Sequence, residues 1–483
     1  MAHCLEIVFV SVSETPGTNR EALARLRPLT EVPHARFRRC DQAVDVDLHD
    51  WRVTVEQRIE QRIEQRIEQR GDVRRIVARH REWPGYRVFS SDPEGSVAEW
   101  IASDEALSPL GAIALDPGPA KELECTEWQD IGAAKIRAML CSEANQPDTL
   151  SLIAPFEARA ALFELARDVL RELPFVIAPF AGPASDEPVK AAKLVLPKHI
   201  SANHALFLIG RSIAAHWFCN HAAARHGLEA EHVHQLRVAQ RRLKTALKLF
   251  PDSIDDAWHE HVGADLQWFG DLLADARDWD VFTDTTITAY ASSDDDTASW
   301  QAIRAAAEDR RTTARRALNE ALHSARYARL VLAYVEWLSG LDAREGDTGP
   351  TTGLALADHA RRRIRKHYRK IARSPDLTTL DPHTRHRVRI HAKRLRYALE
   401  FFHSIVTRRT RGDVEKQLGK LQSVLGDGND AAVAAQRLAA LPEAVAYQKG
   451  LAKGFAVAAQ GATAAEGERI LRKIKQPRIK ASL

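Results

Sequence analysis

The sequence is poor in sulfur, with five cysteines (Cys4, Cys40, Cys125, Cys141, Cys219) and two methionines in 483 residues. Such scattered cysteines build no disulfide framework, and no CxxC pair suggests zinc or thiol exchange. Long apolar runs are also missing. The most apolar stretch, 205–218, is too short to span a bilayer and carries Arg211 and His216. The opening MAHCLEIVFV lacks a basic segment ahead of an apolar core, so it does not read as a signal peptide. The phosphate loops GxxxxGK[ST] and GxGxxG and the GxSxG elbow are absent. His259-Glu260-His261 lacks the HExxH spacing that sets two ligands on one helix face. No catalytic set, metal site or cofactor site emerges, and the expectation is a reduced cytoplasmic protein without a membrane span.

What is present is a normal apolar share of 45% beside 28% charged residues, which suits a folded chain of two or three domains. A net charge of +4 conceals two opposed halves. Residues 1–200 hold 25 Lys and Arg against 32 Asp and Glu, and residues 201–483 hold 44 against 33. Only the second half asks for a polyanionic partner.

The acidic half reads as α+β, with strands at 4–12 and one or two more in 43–57, loops at 91–95, 107–118 and 179–188, and a helix at 157–173. Its tetrapeptide repeat, VEQRIEQRIEQRIEQRGD (55–72), has two readings. On a helix, like charges meet at i,i+4. On a strand, Glu and Arg alternate along one face, with Ile and Gln along the other. An over-long strand before a Gly71-Asp72 turn is favoured, and a helix driven by Ile59, Ile63 and Ile67 is the alternative.

From about Ser201 the pattern is helical, over 203–225, 231–250, 258–277, 299–340, 354–373, 383–405, 411–426 and 429–440. Turn signals separate these segments, among them Pro251, SSDDD (292–296), GDTGP (346–350), SPD (374–376) and GDGND (426–430). The run Asp294–Asp296 reads as a solvated loop. The 13 acidic residues of 251–300, with Arg277 as their one basic neighbour, either hold basic helices or repel misplaced anions.

An internal repeat organises this half. HQLRVAQRRLKTALKLF (234–250) aligns without gaps on HRVRIHAKRLRYALEFF (386–402), with seven of 17 positions identical. The 152-residue offset continues through Leu266, Leu273, Asp275, Asp278 and Val281, which match Leu418, Leu425, Asp427, Asp430 and Val433. Two related helical bundles about an approximate two-fold follow from this duplication. At about 100° per residue, His234, Arg237, Arg241, Lys244 and Lys248 share an arc of roughly 80° opposite the apolar face. His386, Arg389, Lys393 and Arg396 take the same arc, which Glu400 alone interrupts. A plain solvated face normally mixes charge signs, because like charges at i,i+4 repel. Two nearly all-positive stripes therefore point to anion binding. Arg offers a planar fork to phosphate oxygens, Lys a mobile point charge, and His a donor that strengthens in mild acid.

At these residues the chain resembles the CHAD family, the conserved-histidine α-helical domain. HQLRVAQRRLK (234–244) and HRVRIHAKRLRYALE (386–400) are similar to its two basic motifs, and ARDWDV (276–281), HSARYARL (323–330) and LQSVLGDGNDAAV (421–433) are similar to its later helices. The resemblance implies an all-α domain at 203–478, with four-helix repeats at 203–345 and 354–478 around a basic channel that binds inorganic polyphosphate. The motifs add Arg242, Arg394 and Tyr397 to the candidate ligands. Some members of the family associate with polyphosphate or polyhydroxyalkanoate granules in bacterial cytoplasm.

The acidic half, 1–198, more weakly resembles the CYTH domain, a closed antiparallel β-tunnel that hydrolyses triphosphates with Mg²⁺ or Mn²⁺. AALFELARDVLRELP (160–174) carries that likeness. The ExExK signature is reduced to EIVFV (6–10), with Val8 and Val10 in place of Glu and Lys, and TLSLIAP (149–155) replaces a Glu-rich strand. Metal-dependent chemistry needs convergent carboxylates. A degenerate, non-catalytic tunnel is the expectation. Polyphosphate binding is thus the leading function, with a CYTH-type triphosphatase and a non-specific nucleic-acid or polyanion binder as alternatives. No helix-turn-helix, RRM or zinc-finger signature points to specific nucleic-acid reading.

Overall fold

The structure, a computed structural model, describes residues 3–12, 18–26, 29, 32, 34–48, 51–62, 70–80, 86–91, 121–144, 146–178, 187–197, 200–226, 229–254, 256–347 and 356–480. The chain separates into two compact units, Met1–Asp186 with Ala321–Ser339, and Glu187–Glu320 with Gly340–Leu483.

The first unit is built on antiparallel strands: β1 (His3–Ser11), β2 (His34–Leu48), β3 (Trp51–Arg62), β4 (Arg70–His80), β5 (Tyr86–Ser91), β6 (Lys121–Ile131), β7 (Ile136–Ser142), β8 (Thr149–Pro155) and β9 (Phe175–Ile177). They run in the order β5-β4-β3-β2-β6-β7-β8-β1-β9, and a further β5–β1 pairing returns the ladder to its start. Within 1–186 the described helices are α1 (Thr18–Ala24) and α2 (Arg159–Glu172), and the helical residues 321–339 also belong to this unit. Alternation on β1 sends Leu5, Ile7 and Phe9 into the core opposite Ala154, Leu152 and Leu150 of β8. The amphipathic α2 buries Leu162, Phe163, Leu165, Ala166, Val169 and Leu170.

The tetrapeptide repeat adopts the strand alternative over 55–62, in β3, while 63–69 lie outside the described residues. Its backbone register sets Arg58 opposite Asp41 and Glu60 opposite Arg39 of β2. Gly71 and Asp72 are not the expected turn. They sit within β4, paired with Glu60 and Ile59, so the repeat runs into both arms of a hairpin.

The second unit is helical, as expected. Its first repeat contains α3 (Ala202–His226), α4 (Ala230–Leu249), α5 (Asp256–Val281), a wide π-type turn (Phe282–Thr286) with a short continuation to Ala291, and α6 (Thr297–Leu322). α7 (Ala325–Asp347), whose residues to Ser339 belong to the first unit, follows in sequence, and the second repeat contains α8 (Leu356–Ala372), α9 (Pro382–Phe401), α10 (Glu415–Ala439) and α11 (Ala446–Leu471). Asp381 caps α9 by accepting from Thr384 N (2.9 Å), and Pro382 supplies the favoured first position. The expected run 299–340 divides at Ser324, whose hydroxyl accepts from Tyr327 N (3.2 Å) and starts α7.

Two departures from the sequence reading have one physical cause. GDGND is not a turn but the middle of α10, and the following helix, α11, was not anticipated. A Cβ on Gly428 would meet Thr463 Oγ1 of α11, so the glycine is there for close helix approach rather than for a break. The repeats also exchange a glutamine. In the first, Gln240 of α4 donates to Leu266 O of α5 (2.5 Å), over Gly270. In the second, Gln422, at the place of Gly270, donates back to Ala392 O (3.1 Å), at the place of Gln240. One amide links each helix pair, from opposite sides.

Part of the acidic segment 251–300 is held in ion pairs with basic helices. Asp252 pairs with Arg363 (2.9 Å), Asp275 with Arg437 (2.7 Å), the fully buried Asp280 with Arg315 (2.7 Å) and Asp284 with Arg311 (2.7 Å). The exposed Asp294–Asp296 run is more than a solvated loop. Asp294 accepts from Trp300 Nε1 (2.8 Å), and Asp296 accepts from Ser299 N (3.2 Å) and from Gln448 Nε2 of α11 (3.1 Å).

Candidate anion-binding site

The basic stripes belong to α4 and α9, whose opposite faces are apolar and buried. In α4, Leu236, Leu243, Ala246 and Leu249 enter the core, and in α9 Val388, Leu395, Leu399 and Phe401 do so. Fixing each helix by its apolar face leaves the cationic face of each turned to the other helix. Reciprocal contacts show how they meet. Arg242 Nε pairs with Glu400 Oε1 at 3.0 Å, while Lys248 lies in the field of Arg394. Arg394 and Glu400 stand 152 residues after Arg242 and Lys248. Likewise Arg389 feels Arg241, and Lys393 feels Arg237. Residue i meeting the mate of j while j meets the mate of i is the mark of a two-fold.

Between the helices lies a cleft of about 640 Å³, lined by His234, Arg237, Arg241, Lys244, Lys248, His386, Arg389, Lys393, Arg394 and Tyr397 from the sequence-derived set. Two candidates are placed elsewhere. Arg242 is 1% exposed, held by Glu400 and by the Phe401 ring 5.6 Å away. Arg396 is exposed and rests over the Tyr397 ring at 5.4 Å. Sequence reasoning missed cleft residues too, namely Arg277, Asp278, Thr286, Asn429 and Asp430. Asp278 and Asp430 could have been found, because the repeat alignment pairs them directly. Arg277 has no such signal, since its mate is Asn429.

The cleft carries eight Arg and Lys side chains against two carboxylates, Asp278 and Asp430. Asp278 holds Arg237 (3.4 Å) and stands 3.8 Å from Arg437, whose guanidinium covers the Trp279 ring at 4.7 Å. Burial raises the Asp278 carboxyl, and the two arginines oppose that shift. Crowding of like charge acts the other way on the bases. Burial, then Arg389, Arg241 and Arg237, lower Lys393 to about 7. Lys244 and Lys248 are also lowered, chiefly by burial. His234 is lowered by burial and then by Arg277. His386 is lowered by burial too, although its Nδ1 donates to Asn429 Oδ1 (3.1 Å). The cleft therefore holds more positive charge than its own carboxylates neutralise, at an electrostatic cost that a bound anion would relieve.

In the first unit, Glu6 is 5% exposed on β1, paired in register with Ile153, and Val8 pairs with Ser151. Among the described residues no helix is long and apolar enough to cross a membrane.

Comparison with known proteins finds a family model and solved structures similar to the chain. No curated protein matches the chain. A solved CHAD domain from the plant Ricinus communis is 29% identical, with a TM-score of 0.53, over 61% of this chain and 100% of that one. PptA from Streptomyces chartreusis aligns at 20% identity and a TM-score of 0.41, over 57% of this chain and 99% of that one. The family model described as CHAD domain matches residues 209–439, a span that includes both basic helices and the cleft between them, and over this span the chain is similar to the CHAD domain family.

Proposed function

We propose that the protein binds inorganic polyphosphate in the cleft between α4 and α9, without acting on it chemically. The observation that carries this reading is the convergence of eight Arg and Lys side chains from two repeats on one cleft holding two carboxylates. A linear chain of phosphates supplies negative charge at every unit, which matches cations drawn from successive helical turns. Arg237, Arg241, Arg389 and Arg394 suit bidentate contacts, and Lys244, Lys248 and Lys393 add point charges. Polyphosphate binding is also what the CHAD resemblance implies.

Nucleic acid fits this cleft less well. Sequence-tolerant binding of single strands relies on aromatic platforms for the bases. The aromatic side chains lining the cleft, Phe282 and Tyr397, are 2% and 4% exposed and committed to packing. Granule attachment would follow from polyphosphate binding, with the acidic half as scaffold.

The test is charge reversal at mated positions. Arg237→Glu with Arg389→Glu should lower polyphosphate affinity by at least about a hundredfold, as two fork contacts become repulsive. Helicity by circular dichroism should stay unchanged. Undiminished retention on a polyphosphate column would defeat the reading. Equal competition by DNA at fixed salt would replace it with non-specific polyanion binding.

A further inference from the structure

We propose that the exposed face of α8 is a second polyphosphate-binding surface, which engages the chain beyond the cleft; this rests on the cleft reading above. The surface is a shallow concavity lined by Asp358, Arg361, Arg362, Arg365, Lys366 and Arg369. Arg361, Arg365 and Arg369 follow one another at i,i+4, over two turns or about 12 Å. That spacing is self-repulsive. Internal neutralisation is slight. Arg361 pairs with Asp358 (2.5 Å) and Arg362 stands 4.0 Å from Asp252, whose closer partner is Arg363 at 2.9 Å. Among the described residues, Arg365, Lys366 and Arg369 take part in no ion pair.

The fold does not demand this charge. The buried side of α8 is complete in itself: Leu356, Ala360, Ile364 and Ile371 enter the core, and His359 bonds Leu249 O at 3.0 Å. The duplicated architecture supplies a control. Aligning His367 with His216 and Ile364 with Ile213 sets α8 on α3 with matching buried positions. Gly210, Ala214 and Phe218 of α3 then fall where α8 carries Arg361, Arg365 and Arg369. All three α3 positions are buried. Where the first repeat is apolar and covered, the second is cationic and open, so its complement is an anion rather than a protein segment.

On its buried side α8 packs against α9, the helix that lines the cleft: His367 of α8 and His391 of α9 lie with ring centroids 6.2 Å apart. A phosphate chain long enough to pass from the cleft to the outer side of α8 would meet both sets of cations.

The experiment compares tripolyphosphate with long-chain inorganic polyphosphate on the full-length protein. The triple variant Arg361→Gln, Arg365→Gln, Arg369→Gln should bind tripolyphosphate as the parent does. Its affinity for the long chain should fall about tenfold, and the slope of log K against log salt should drop by about 2, near 0.7 for each lost contact. The triple Lys variant, which keeps charge, should retain most of the long-chain affinity. Unchanged long-chain affinity and slope in the Gln variant would overturn the second surface and leave the cleft standing. If the parent protein retained neither ligand, both readings would fall together.

Discussion

Duplicated positions that have diverged locate the working residues more sharply than positions that match. Arg242 and Lys248 have Arg394 and Glu400 as mates, so one crossing point of α4 and α9 holds the ion pair Arg242–Glu400 and the other holds two cations, Arg394 and Lys248. Glu400, which interrupts the second stripe in sequence, is thus the counter-ion of a buried arginine. Lys248→Glu should give Arg394 the same kind of partner. We expect thermal stability to hold or rise by about 0–1 kcal/mol, because the site is exposed, while polyphosphate affinity falls. A matching loss of stability would contradict this account. Lys393 sets the pH response. Its value of about 7 lies below its unfolded 10.5, so the cost of charging it is present below pH 7 and relieved as pH rises toward 10.5. A bound polyanion raises that value, so affinity should increase as pH falls from 9 to 7, with uptake of up to about one proton. Calorimetry in buffers of different ionisation enthalpy reads this uptake directly. Lys393→Arg, which stays protonated throughout, should flatten the dependence.

At the scale of elements, contact between helices overrides local propensity. Gly428 lies in mid-helix, where glycine costs about 1 kcal/mol against alanine. Even so, Gly428→Ala should destabilise the protein by about 1–3 kcal/mol, because the added methyl group meets Thr463 across the α10–α11 contact. Thr463→Ala in the same chain should recover part of the loss, and denaturant titration of the two single variants and the double variant measures the coupling. Strictly additive effects would remove Thr463 from the explanation. This contact also shows what the sequence leaves illegible. α4 and α9 were readable because their cationic and apolar residues occupy opposite arcs. α11, AYQKGLAKGFAVAAQGATAAEGERIL, spreads alanine and glycine around its circumference and presents no such arc. Strand over helix was favoured for the repeat at 55–72, yet its register with β2 and β4 depends on partners distant in sequence. Arg277 joins the cleft only through the packing of α5 on α4, which no local pattern records.

For the whole molecule, the change from strands to helices is legible as a change in charge balance and in hydrophobic period, while the grouping of 321–339 with the strand-built unit is not. The acidic half announces less, because Val8 and Val10 on β1 carry no chemistry that would mark a site. If the helical half alone carries the ligand, polyphosphate affinity should drop steeply as salt rises from 50 to 200 mM, following counterion release. Titration across that range measures it, and a flat response would argue against a charge-driven cleft. The two-fold in the cleft has one more consequence. A two-fold site looks the same from both ends, and so does a linear polyphosphate chain, which has no head or tail. At the matched positions the chain can lie in either sense, a degeneracy worth up to about 0.4 kcal/mol at room temperature, which the diverged pairs Lys248 with Glu400 and Arg277 with Asn429 reduce. A nucleic-acid strand runs 5′ to 3′ and would present itself to the two repeats in opposite directions, so a duplicated domain of this kind favours a ligand that lacks polarity.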